Sequence, residues 1–344
     1  MQTKLLSVSP TGISLYELTN DIGMRVQVIN YGARLFAMYV PTRTGEFIDV
    51  LAGYATPDEF RGDNPYFNAV IGRVANRIDQ SRFTLDGVTY QLNANFFEHH
   101  LHGGAEGFDR KLWTVIEAQD GAISMRYVSP DGEEHYPGTL TVTVTYRVGA
   151  DNSLTLDYTA TTDRATPVNL TNHAYFNLDG DFRSVLDHVV RISASRVVTS
   201  DDKFVCHGEI IDVPGTIYDF RAPHAIGRDL TPLPTFVAGQ GGYDLSYVIA
   251  PHAPDAAVAS AYSPRTGVKM HVFTDRPCLQ FYTGNFLDGT NVGKHVFGYQ
   301  SAFCMETQDY SNAPNVPTFP SIILRPEDTY HSHTRYAFSV VAAD

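Results

Sequence analysis

Two side chains in this sequence have the types and settings that proton-transfer chemistry needs. His173 lies in residues 166–180, and Glu306 lies in Phe-Cys-Met-Glu-Thr-Gln at 303–308. Read as a strand, residues 166–180 place Asn169, Thr171, His173, Tyr175 and Asn177 on one face. Val168, Leu170, Ala174, Phe176 and Leu178 fall on the other, with Asn172 as the exception. One face is apolar enough to pack on a core. The other is a row of hydrogen-bonding groups around an imidazole, the only member that titrates near neutrality. An ordinary half-exposed antiparallel strand alternates in the same way, so this segment alone leaves both readings open. Glu306 shares a strand face with Cys304 and Gln308, opposite Phe303 and Met305. A carboxylate in so weakly polar a stretch is either solvated and inert or a general base tuned by its surroundings.

Other polar groups suit a ligand covered in hydroxyls. Gln280 and Tyr282 share a face, offering an amide and a ring. Asp244 follows Gly241-Gly242, a setting that on its own reads as a turn. Arg73 and Arg77, four apart, share a side in a strand or a helix. His99, His100 and His102 cluster ahead of Gly103-Gly104. Three histidines so close in sequence seldom close a metal site unaided, and no His-Glu-x-x-His pattern or cysteine pair supports one. The expectation is therefore no metal, with His102 touching a ligand and the two glycines allowing close backbone approach.

The elements that must position these groups are strands. Leu140–Val148 alternates cleanly and is followed, after a Gly-Ala-Asp-Asn-Ser turn, by 154–158, which predicts a hairpin. Residues 123–128 and Arg25–Ile29 read the same way, and 84–90 is a short hairpin around Asp86-Gly87. Helical signals are few: Thr56, Pro57 and the acids after them start a turn that Gly62 ends. With no repeat, low-complexity tract or linker, residues 1–344 read as a single large antiparallel β domain, mainly β with few short helices. Strand pattern leaves sandwich and barrel both open.

Composition removes several function classes. A net charge of −13 argues against a duplex nucleic-acid partner, which calls for a basic face. No apolar run is long enough to span a membrane, and the first residues lack a secretory core. Cys206, Cys278 and Cys304 are odd in number, widely spaced and without ligand spacing, which fits reduced thiols in a cytoplasmic protein.

Taken together, five segments in order resemble the aldose 1-epimerase (galactose mutarotase) family. They are Gly-Arg-Val-Ala-Asn-Arg-Ile at 72–78; Leu-His-Gly-Gly at 101–104 with Gly-Phe-Asp at 107–109 and Trp113; residues 166–180; residues 280–289; and Glu-Thr-Gln at 306–308 with Leu-Arg-Pro at 324–326. The resemblance implies a large β-sandwich with its site on a concave sheet face, and cofactor-free interconversion of α and β anomers of free aldoses. It casts Glu306 as the base, His173 as the acid and His102 as the second active-site histidine. Asn76, Arg77, Asp244 and Gln280 become sugar contacts. The chain departs from the family pattern after Asp244, where Leu-Ser-Tyr replaces the usual His-Asn, in Phe-Glu-His-His at 97–100, and at His135. These departures bear on which sugar is preferred.

Such a pair is expected at rest as carboxylate and imidazolium, each favouring the other's charge, with activity falling on both sides of a pH optimum. Competing readings are a noncatalytic sugar binder on the same scaffold, and an epimerase of phosphorylated or pentose sugars. The phosphorylated case would gather Arg73, Arg77 and Arg82 around a phosphate. A hydrolase would need a pair of carboxylates, which is not evident in the sequence.

Overall fold

Valines and tyrosines at alternate positions drive the sheet that carries most of the chain. In strand Leu140–Val148 the apolar residues are buried and the threonines between them half-buried. Each buried aliphatic side chain contributes about 1.5–3 kcal/mol. A one-residue slip would turn Thr141, Thr143 and Thr145 into the core instead, so the register is strongly fixed. The hairpin partner is Ser153–Thr162, with Val148 opposite Leu154. The expected strand at 123–128 lies within Ala122–Ser129, and Arg25–Ile29 forms as read. Asp86 and Gly87 both take positive φ (49° and 82°) between Arg82–Leu85 and Val88–Gln91, the backbone of a tight two-residue hairpin turn.

The computed structural model describes residues 1–62, 65–230 and 241–342. Among them no α-helix occurs. The helical start at Thr56 becomes a single 3-10 turn, Pro57–Arg61, closed by a Thr56/Glu59 capping box. Three larger antiparallel sheets account for the architecture. The first is five-stranded and runs in chain order from Gln2–Val8 to Phe47–Asp49. The second has nine strands, with the last strand, Tyr330–Val340, inserted between Ser153–Thr162 and Val268–Thr274. The third runs Ile210–Asp212, Arg196–Val198, Asp244–Val248, Cys278–Tyr282, Cys304–Gln308. One apolar core draws side chains from all three, among them Val28, Val144 and Phe281. This is sheet-on-sheet packing, so the fold is a sandwich.

Residues 166–180 depart from expectation. No continuous strand forms; the backbone changes partner along its length. Thr166–Pro167 pairs with Ile323–Leu324, Thr171–Asn172 with Val70–Ile71, and Phe176 bridges Leu51 and Phe303. Between these pairings the Asn68 side chain takes the Tyr175 N–H at 2.9 Å. The alternation survives without a ladder: Val168, Leu170, Ala174, Phe176 and Leu178 all enter the core. Nor is the segment half-exposed, since residues 166–178 are buried throughout. It fills the space beside strand Cys304–Gln308, the edge of the third sheet.

Candidate active site

Period-two alternation in the third sheet builds the floor of a pocket. Gln280 lies opposite both Ser246 and Glu306, and Tyr282 opposite both Asp244 and Cys304. These residues share one face. Leu245, Tyr247, Leu279, Phe281 and Met305, on the other face, pack into the core. Asp244 is therefore the first residue of a strand, Asp244–Val248, rather than a turn residue. Its carboxylate accepts a 2.6 Å hydrogen bond from the Gln280 amide.

The pocket encloses about 310 Å³. His173, Glu306, His102, Asn76, Arg77, Asp244 and Gln280 all line it, so every site residue expected from sequence converges there. Two carboxylates share the pocket, a pairing that separate strands hid from the sequence. Glu306 Oε1 lies 3.7 Å from His173 Nε2, and Oε2 is buried with no hydrogen-bond partner among the described residues. Tyr175 stacks on the His173 ring at 4.9 Å and 16°, with Tyr66 at 6.0 Å and 20°. His102 meets the same ring edge-on at 5.2 Å.

Asn76 and His102 hold each other in place. The His102 N–H donates to the Asn76 carbonyl at 3.0 Å, and the Asn76 N–H donates to His102 Nδ1 at 3.2 Å. An Nδ1 that accepts is unprotonated, so the neutral ring carries its proton on Nε2. Burial, then the neighbouring His173 and Arg77, holds His102 well below the usual imidazole range and keeps it a neutral donor. Both residues have left-handed backbones (φ 64° and 53°), a cost that tight local bonding offsets. Arg77 is buried between the rings of Phe96 at 4.5 Å and Phe204 at 5.0 Å.

The resting charge state is a correction. Burial, reinforced by Asp244, pushes the Glu306 carboxyl well above its usual value, against the pull of Arg77. Burial pushes His173 down to about 3, against a hydrogen bond to its own main-chain carbonyl. Both groups are driven toward neutrality, because at 3.7 Å their mutual attraction does not offset the loss of water. Burial thus favours carboxylic acid and neutral imidazole over the expected carboxylate and imidazolium.

Other candidates fall outside the pocket for local reasons. Gly103 makes its close approach to the chain itself: an added Cβ would lie 1.8 Å from the Gly72 carbonyl oxygen, and φ is 87°. His99 Nδ1 accepts from the Gln80 N–H at 3.1 Å, and His100 Nδ1 bonds to the Asn93 carbonyl at 2.6 Å; neither they nor His135 line the pocket. Arg73 does not join Arg77. It is buried and donates to Ser129 and to the carbonyls of Ser129, Pro130 and Pro137, while Arg82 is exposed on its hairpin. Among the described residues no arginine cluster for a phosphate forms in the pocket.

His173, Cys304 and Glu306 bring nitrogen, sulfur and oxygen donors within 4.8 Å of one another. The ring meets Cys304 through Nδ1 and Glu306 through Nε2, so one nitrogen does not serve both contacts. Sequence reasoning missed Tyr66, Phe96 and Phe286, which wall the pocket from loops where no periodicity announces them.

Comparison with known proteins agrees with this geometry. The family model for aldose 1-epimerase matches residues 14–337. Galactose mutarotase of Sus scrofa is 41% identical over 331 residues, covering 95% of this chain and 94% of its own. Aldose 1-epimerase of Escherichia coli K12 is 34% identical, covering 98% of each chain. The crystal structure of a GalM/aldose epimerase homologue from C. elegans superposes with a TM-score of 0.88 at 32% identity, over 94% of this chain and 98% of that one. The chain belongs to the aldose 1-epimerase family.

Proposed function

We propose that Glu306 and His173 form the acid–base pair with which this isomerase interconverts the α and β anomers of free aldoses such as glucose or galactose. The observation that carries the reading is the Glu306 carboxyl at the pocket floor, buried, with Oε2 unpartnered among the described residues and Oε1 facing His173 Nε2. A buried carboxyl oxygen without a partner costs free energy until a ligand hydroxyl reaches it.

Opening a sugar ring needs one group to take the C1 hydroxyl proton and another to give a proton to the ring oxygen O5. A pair that holds one proton supplies both. With that proton on His173, Glu306 takes the C1 hydroxyl proton while Nε2–H protonates O5. The C1–O5 bond breaks, the aldehyde turns about C1–C2, and closure from the other face reverses both transfers. His102 Nε2–H, Asn76, Arg77, Asp244 and Gln280 are read as the groups that hold the hydroxyls. The unit is read as one domain over residues 1–344, supported by the shared core of the three sheets and the extent of the family match. Three buried, unpaired cysteines support a reducing, cytoplasmic setting.

The test is polarimetry on freshly dissolved α-anomers, corrected for the uncatalysed rate. Glu306→Gln is expected to lower kcat by about 10²–10⁴-fold, the usual worth of a general base, while sugar binding survives. Wild-type turnover in that variant would remove Glu306 from the mechanism. Because the pair keeps its single proton down to about pH 3, kcat/KM should show no acid-side inflection near 6.5, where a free imidazole titrates.

A further inference from the structure

Cys304 stands two residues before Glu306 on strand Cys304–Gln308, so the alternation that aims Glu306 at the pocket aims Cys304 the same way. Its Sγ lies 3.5 Å from His173 Nδ1, while Nε2 of the same ring lies 3.7 Å from Glu306 Oε1. The imidazole thus spans two side chains of one strand, one through each nitrogen. The stacked rings of Tyr175 and Tyr66 fix its plane.

Building on the acid–base reading above, we infer that Cys304 is a positioning residue for His173: its sulfur accepts the Nδ1–H and so keeps the exchangeable proton on Nε2. The reaction visits two states of the ring, the imidazolium and the neutral form left after Nε2 gives up its proton. Nδ1 is protonated in both. If Nδ1 lost its proton instead, Nε2 would stay protonated and could not take a proton back when the sugar ring recloses.

The chemistry of sulfur suits this place. Burial, with Glu306 and Asp244 nearby, holds the thiol well above its usual value, so it stays protonated and takes no part in the proton transfer. Sulfur is a weak acceptor. It holds the tautomer without stabilising the imidazolium as an aspartate does beside a serine-protease histidine. An acid that must release its proton gains from that weakness.

The test combines kinetics with the ¹⁵N spectrum of imidazole-labelled protein, the His173 signal being assigned by its loss in His173→Asn. In wild type, neutral His173 is expected as the Nδ1–H tautomer; finding the proton on Nε2 overturns the proposal whatever the variants do. Cys304→Ala is expected to lower kcat about tenfold, the scale of one lost hydrogen bond, with KM within about twofold and a mixed tautomer. Cys304→Ser, which keeps an acceptor, should restore kcat to within about threefold and recover the tautomer. Equal losses in the two variants with an unchanged tautomer would mean packing only and overturn it, as would wild-type kcat in Cys304→Ala. Retained turnover in His173→Asn would sink the acid–base reading itself. An inactive His173→Asn beside a fully active Cys304→Ala would sink only this inference.

Discussion

Two buried acid–base pairs lie within this chain, and burial acts on them to opposite ends. Arg34 and Asp109 are both buried, with Arg34 Nη2 3.6 Å from the Asp109 carboxylate. Nη1 donates to the Phe67 carbonyl and Nη2 to the Asp109 carbonyl, each at 2.7 Å. Burial lowers the guanidinium only to about 10, so it stays charged, and it opposes the upward push of burial on Asp109. The His173–Glu306 pair is equally dry, at a similar separation of 3.7 Å. Its members have ordinary values near enough to neutrality that burial discharges both. A pair containing arginine is locked as ions and bolts the loop of residues 107–109 to the first sheet. A pair of imidazole and carboxyl keeps a proton that can move. Both pairs are buried and close, so only the residue types and their main-chain bonds separate structural from chemical.

The largest expected effects break the two pairs separately. Arg34→Ala strands the Asp109 carboxylate and should cost about 3–5 kcal/mol of stability, read from denaturant unfolding. Turnover of the remaining folded protein should fall far less. Glu306→Gln should do the reverse, losing turnover while stability near pH 5 stays within about 1 kcal/mol of wild type. If Arg34→Ala instead abolishes turnover in protein of wild-type stability, the contrast between a structural and a chemical pair fails.

A smaller effect belongs to Arg77, which shares burial with Arg34 but lines the pocket. Its Nη1 reaches Asn76 Oδ1 at 3.5 Å, and Nε has no partner among the described residues. A guanidinium with spare donors at a cavity wall is available to a ligand, as the proposed function reads it. Arg77→Ala is expected to raise KM by about ten- to a hundredfold, the worth of a charge-assisted hydrogen bond of roughly 1.5–3 kcal/mol, with kcat little changed. Steady-state kinetics on a fresh anomer gives both constants, and a pure loss of kcat would place Arg77 in the chemistry instead.

What could be read from sequence follows from how far each signal reaches. Alternation is local and strong, so Leu140–Val148, Arg25–Ile29 and the two faces of Cys304–Gln308 were legible. The same signal gave the correct faces for 166–180 but the wrong backbone. Which strand a main chain bonds to is a tertiary matter, and Asn68, a hundred residues away, supplies one of the bonds. Asp244 read as a turn because two glycines precede it, and its place in the sheet is set by pairing with Cys278–Tyr282. The resemblance put seven residues in one site, and the pocket brings them together. The charge state was not legible, since it depends on a dryness that no spacing expresses.

The smallest effect tests that dryness through its dependence on pH. His173 has a folded value near 3 against 6.5 when free, so the unfolded chain binds the extra proton between them. Stability from this group is lost as pH falls through that window. Glu306 has the opposite sign. Its folded value is raised above 4.5, so the folded protein holds the extra proton, and its contribution is full below 4.5 and lost as pH rises through the raised value. Where the two windows overlap above 4.5 the slopes oppose each other, and above 6.5 His173 contributes no slope. Comparing wild type with Glu306→Gln isolates the carboxyl, because the imidazole contributes to both. The variant should therefore gain on wild type as pH rises from about 5 to about 8, by about 1.36 kcal/mol for each pH unit in which folded Glu306 stays protonated and the unfolded carboxyl does not. Unfolding free energies at three pH values across that span are sufficient. If the gap stays constant, Glu306 is ionised in the empty pocket, and the pair at the floor is a salt bridge like Arg34–Asp109.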